Sequence, residues 1–220
     1  MLSALVIIVL SQEPAPVEAV TAPAPVTERQ REYVAGGVFA PASLPAGSNA
    51  LYAFLGAPDV AVGYRQGFGA IELEARGTFN LFEVSAIAEV GLKLAVFERD
   101  RLKISPGLAL GLEFDSGARY IDRFNFAFVG LRPRLSAAAS YAFSPTISGL
   151  ALFDLPVSIA FAQGFQVTPL LGAGAEFHLG GAFSLLVSGH GGFDATREPL
   201  GVTQFRGAWA ARLGIGYRLF

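Results

Sequence analysis

Between Arg101 and Asp115 apolar and polar positions alternate almost without a break. Leu102, Ile104, Pro106, Leu108, Leu110, Leu112 and Phe114 share one parity, and Lys103, Ser105, Gly107, Ala109, Gly111, Glu113 and Asp115 share the other. Successive side chains of an extended chain point to opposite faces, so this stretch predicts a strand with one apolar face and one small-or-charged face. The division returns over 83–98, where Val84, Ala86, Ala88, Val90, Leu92, Leu94 and Val96 oppose Glu83, Ser85, Glu89, Gly91 and Lys93. It returns over 70–79 and 164–179. In the last stretch Phe205, Trp209, Leu213, Ile215, Tyr217 and Leu219 oppose Gln204, Arg206, Arg212 and Arg218.

These runs last about 10–16 residues, whereas strands of soluble proteins average about 5–6. A strand crossing a membrane at a tilt needs about 9–11. Short links at Gly67-Phe68-Gly69, Arg99-Asp100, Ser144-Pro145-Thr146, Gln163-Gly164 and Gly180-Gly181 predict hairpins. Longer polar links are expected at 41–57, 116–124 and 194–201. Counted from about Tyr33, the pattern predicts about ten antiparallel strands in an all-β, up-and-down transmembrane barrel, with eight strands as a variant. With a periplasmic N-terminus, the three longer links would join strand pairs on the outside, and the short turns would lie in the periplasm. Phe68, Tyr141, Phe143, Phe177 and Tyr217 would form one aromatic rim, and Phe79, Phe114, Phe161, Phe165 and Phe205 the other. A helical span over 155–175 is disfavoured by Pro156, Gln163, Gly164, Gln166, Thr168 and Pro169.

Composition agrees with a chain that meets lipid. Apolar residues make up 52% and charged residues only 15%, against about 25% charged in soluble domains. Mean hydropathy is +0.48. The net charge of −2 implies no polyanion partner, and no stripe for nucleic acid is seen. Cysteine is absent, which excludes disulfides and Cys-based metal sites. Leu2 to Leu10 has the length of a secretion-signal core, so residues 1–11 are expected to be a signal peptide. Residues 12–31 alternate Pro with Ala, Val and Glu and are expected to be an extended linker. The barrel is then expected to occupy 32–220.

The closing segment, Trp209-Ala-Ala-Arg-Leu-Gly-Ile-Gly-Tyr-Arg-Leu-Phe220, resembles the C-terminal strand of small bacterial outer-membrane β-barrel proteins, OmpA-like and porin-like in the broad sense. The resemblance implies an outer-membrane location, and a bilayer and the barrel-assembly machinery as partners. It implies an assembly signal carried by Trp209, Tyr217 and Phe220. One departure is visible: Tyr217 stands three residues before Phe220 rather than two, which puts the two on opposite faces.

The polar parity collects Arg65, Arg76, Lys93, Lys103, Arg132, Arg134, Arg206, Arg212 and Arg218 with Glu72, Glu74, Glu89, Glu113, Asp115, Asp154 and Glu176. A selective pore concentrates one sign at a constriction, whereas near-balanced charges predict cross-strand ion pairs that close a narrow lumen. The expected function is therefore structural or weakly pore-forming. A small-solute diffusion pore is the alternative, and a secreted β-sandwich or lipid-binding barrel the second. An outer-membrane enzyme acting on lipid would use Ser188, His190 and Glu176. Yet the hairpin register expected around Gly180-Gly181 pairs His178 with Ser184 and His190 with Gly172, which sets His190 four residues from Glu176, about 13 Å along the strands. No cofactor, metal or catalytic site is expected.

Overall fold

The computed structural model describes residues 38–40, 44–180 and 182–219. The expected signal peptide and linker lie outside these residues. Among the described residues there are twelve strands: β1 (Asn49–Ala57), β2 (Asp59–Gly67), β3 (Ile71–Asn80), β4 (Ser85–Leu94), β5 (Phe97–Arg99), β6 (Leu102–Ser116), β7 (Ala127–Ser144), β8 (Ile147–Ala160), β9 (Phe165–Val167), β10 (Leu170–His178), β11 (Phe183–Arg197) and β12 (Thr203–Leu219). Every pairing is antiparallel, and each barrel strand pairs with its neighbour in the chain. β12 pairs with β1 from Asn49↔Leu219 to Ala57↔Ala211, which closes the sheet. Two of the twelve are accessory. β5 is a short arm paired only with β6. β9 precedes β10 on the same path, interrupted at Thr168-Pro169 because proline cannot donate to the ladder. Ten strands therefore form a closed up-and-down barrel.

The alternation written in the sequence is the alternation of the wall. In β6, Leu108, Leu110, Leu112 and Phe114 are exposed on the outer surface while Ala109, Glu113 and Asp115 are buried inside. The outer surface is a continuous apolar band that includes Leu55, Val62, Val90, Leu171, Leu213 and Ile215. Aromatic pairs stand at the end of the barrel that carries the β2–β3, β7–β8 and β10–β11 turns: Tyr141 packs edge-on against Phe143 at 5.2 Å, and Phe183 lies tilted against Tyr217 at 4.7 Å.

The beginning of the barrel differs from expectation. Residues 41–57 do not form an outside loop: Asn49–Ala57 is β1, and its link to β2 is the single residue Pro58. Of the first strand expected near 33–40, residues 38–40 are bends and the remainder lies outside the described residues. The physical reason lies in β1, whose inward positions are Ala50, Tyr52 and Phe54, all buried. With apolar residues on both faces, β1 shows no polar parity. Residues 38–40 and Leu44 account for those inward aromatics, because they pack into the lumen at the end that carries the β2–β3 turn. Val38, Ala40 and Leu44 are buried there, and Phe39 packs edge-on against Tyr52 at 5.6 Å. Gly214 and Gly216 on β12 leave the necessary room: a Cβ on Gly216 would come within 2.6 Å of Val38.

Strand lengths are uneven, with 9 residues in β1 and β2 but 17 in β12. β12 therefore runs past the end of β1, from Thr203 to Ala210, with that edge unpaired by β1. The β3–β4 loop crosses the short β1–β2 hairpin to reach it. Leu81 donates its N–H to the Pro58 carbonyl, and Phe82 packs edge-on against Trp209. Covering an exposed edge in this way removes a site for strand addition.

Candidate functional site

The interior is organised in three tiers of ion pairs. Nearest the β2–β3 turn, Arg65 on β2 pairs with Glu72 on β3, and Lys93 on β4 reaches Glu74 at 3.5 Å. Tyr52 donates its hydroxyl to Glu74. Arg65 also donates to the Ala40 carbonyl at 3.1 Å, and the Phe39 N–H donates to Glu176 Oε1 at 3.0 Å. The N-terminal segment is thus held by both signs of charge. Arg65, Glu72 and Glu176 are at most 1% exposed, and carboxylates and guanidinium groups so deeply buried persist only when paired.

The middle tier turns on Arg134 of β7. It meets Glu89 of β4 at 2.7 Å, Asp154 of β8 at 2.9 Å and Glu74 of β3 at 3.5 Å. Arg76 of β3 joins it through Glu89 at 2.7 Å. Arg212 of β12 pairs with Asp59 at 3.2 Å and lies over the Phe54 ring, 4.9 Å from its centroid. Above this, Arg132 donates to Glu113 at 2.8 Å, and Ser158 donates to the same carboxylate.

The outer tier centres on Arg206 of β12. Its guanidinium binds Asp194 of β11 at 2.8 Å, Glu83 of the β3–β4 loop and Asp122 of the β6–β7 loop. Asp194 also accepts from Gln166 and Thr168. Because the β6–β7 loop rises from the wall opposite β12, this one side chain ties together groups from across the mouth. Burial pushes the Glu83 carboxyl up to about 7, against the opposing pull of Arg206. Asp115 accepts from Asn125 at 2.7 Å and from the Gly117 N–H.

Of the sixteen charges singled out in the sequence, twelve form these ion pairs, and Asp115 and Glu176 join the tiers through hydrogen bonds. Lys103 does not: its ammonium bonds Glu98 of the β5 arm at 2.7 Å, on the β5–β6 hairpin. Arg218 is half-buried near the C-terminal end of β12. Sequence reasoning left out Asp59, Asp122 and Asp194. Asp194 shares its parity with Ser188 and His190, so alternation alone could have found it. Asp59 was hidden by the misplaced first strand, and Asp122 lies in a loop without periodicity. Two cavities lie within the lumen, an outer one of about 200 Å³ toward the β3–β4 and β6–β7 loops and an inner one of about 110 Å³ toward the β2–β3 turn. Arg76, Arg134, Asp154, Arg212 and Phe54 line both.

The β10–β11 register pairs His178 with Ser184, Glu176 with Leu186, Gly174 with Ser188 and Gly172 with His190. Ser188, His190 and Glu176 are not brought together. Glu176 is engaged by Phe39, while Ser188 Oγ and both ring nitrogens of His190 have no protein partner.

A closed antiparallel sheet, apolar outside and ionic inside, admits one environment for its outer face. The fold is that of a small outer-membrane β-barrel. Among solved structures the barrel is similar to the KdgM porin, at 13% identity over 79% of this chain and 99% of that one, with a TM-score of 0.41. The same porin in complex with disordered oligogalacturonate gives 11% identity over the same shares and a TM-score of 0.44. OmpT of Vibrio cholerae gives 12% identity over 73% of this barrel's chain and 56% of its own, with a TM-score of 0.39. No family model and no curated protein matches the sequence.

Proposed function

We propose that the protein is an integral outer-membrane barrel with a lumen closed at rest, serving a structural role in the envelope. The observation that carries this reading is closure at both ends by different means. At the periplasmic end Phe39 and Ala40 are bonded to Glu176 and Arg65. At the outer end Arg206 binds Glu83, Asp122 and Asp194 together. The ion pairs lie across the lumen, and ten strands enclose an interior only slightly wider than side chains fill. The N-terminus then lies in the periplasm. Trp209 and Tyr217, both outward on β12, would be read by the barrel-assembly machinery together with Phe220, which lies outside the described residues.

A second reading, a small-solute diffusion pore, is favoured by the two charged cavities that share one layer of side chains. Conductance in planar bilayers separates the two. The refolded full chain should show rare, brief openings. A stable ohmic conductance in most insertions would overturn the closed reading in favour of the pore.

A further inference from the structure

The inner cavity holds a set of polar atoms that the ion-pair tiers leave unused. Nε of Arg76, Arg134 and Arg212, Oγ of Ser188 and both ring nitrogens of His190 have no hydrogen-bond partner in the protein. All five side chains line the cavity of about 110 Å³. Ser188 and His190 are 6% and 7% exposed. Polar groups buried this deeply are nearly always satisfied by something, whether protein, water or ligand.

The imbalance among them is informative. Three guanidinium N–H groups, one hydroxyl and one N–H of a neutral imidazole are all able to donate, while the second imidazole nitrogen alone among them must accept. The two carboxylates that line the same cavity, Glu74 and Asp154, are each paired with Arg134. Glu74 takes the Tyr52 hydroxyl and meets Lys93 and Arg134, and Asp154 takes Arg134. The carboxylates opposite Arg76 and Arg212 are Glu89 and Asp59, which line the outer cavity rather than this one. Water brings as many donors as acceptors, so water alone leaves surplus donors facing one another. A group that only accepts fits better.

We propose that this chamber is a binding site for one small tetrahedral oxyanion of the phosphate class. Guanidinium N–H groups suit oxyanion geometry, and Ser188 with His190, two apart on β11, supplies neutral donors from one side. The volume is ample, since a single water needs only about 10–15 Å³ by the same measure. The chamber lies in the same place whether or not the barrel conducts, so this inference and the closed reading fail independently.

The chain has two histidines, His178 and His190, which makes the test direct. The full chain is refolded in phosphate-free detergent with ¹⁵N-labelled imidazoles and titrated with inorganic phosphate. His178, already bonded to Ser148 and Ser184, is the internal control. The expected result is a saturable shift of the His190 signals with those of His178 unmoved, weakened at least tenfold in Ser188→Ala. Calorimetry on His190→Phe should show the same weakening, with the heat-dependent gel shift of a folded barrel retained. If His190→Phe does not fold, the wild-type and Ser188→Ala titrations decide the matter. The proposal is overturned if His190 does not move, if both imidazoles drift together without saturation, or if Ser188→Ala binds phosphate as the wild type does.

Discussion

Replacing Leu110 with Arg puts a charge on the outer face near mid-depth. Leu110 stands eight residues past Leu102 and six before Ser116 on β6. It is opposite Val90 of β4 and Pro133 of β7, with 53% of its surface exposed. If that surface meets acyl chains, an Arg there costs about 2–4 kcal/mol. Phe114 points the same way four residues nearer the outer mouth, about 13 Å along the strand and about 9 Å higher at a 45° tilt. An Arg at Phe114 should cost about 0–1 kcal/mol for the charge, because its guanidinium reaches the interface. Denaturant unfolding in lipid vesicles, followed by gel mobility with and without boiling, gives both values. A steep fall in cost from Leu110 to Phe114 is expected. Equal costs at the two sites would refute the reasoning, since a soluble core has no depth axis along the strand.

Other outcomes follow from the interior. Arg134→Met leaves Asp154 without its ion pair and takes one of two cations from Glu74 and from Glu89 and should destabilise the barrel by about 3–5 kcal/mol; adding Asp154→Asn should recover part of this in the same unfolding assay. Glu83 has a folded pKa of about 7, above its ordinary 4.5, so the folded state binds that proton more tightly than the unfolded one. Its contribution to stability is therefore present below about pH 4.5 and is lost as pH rises through about 7. Glu83→Gln should flatten this slope in unfolding midpoints taken across that window. Gly216→Val would drive a side chain into Val38; it should raise single-channel conductance by loosening residues 38–40 while the heat-dependent gel shift persists.

Legibility in the sequence followed how strictly one face was polar. β6 could be read residue by residue, because Leu, Leu, Leu and Phe face lipid while Ala, Gly, Glu and Asp face the lumen. The β10–β11 hairpin was readable to its register, since parity and a short turn together leave one pairing. β1 was not, because Tyr52 and Phe54 face inward against a segment that returns into the lumen, and no local pattern encodes that long-range contact. The charged set was legible as a set, but its partners were not. Arg206 binds residues 84 and 123 positions away, and Asp122 sits in a loop where the period of two has ended. The β5 arm around Lys103 was also invisible, because a hairpin that extends past the rim alternates like one within it.

The central claim is that apolar parity faces lipid and polar parity faces the lumen. The chain contains no cysteine, so single cysteines can be placed from Gly107 to Phe114, spin-labelled, and measured in vesicles for collision with oxygen and with a water-soluble nickel complex. Oxygen accessibility should peak at 108, 110, 112 and 114, with all four inaccessible to nickel, while the alternate positions show low oxygen accessibility. The opposite phase, or four even positions shielded from both reagents, would contradict the barrel and make the apolar face the core of a soluble fold.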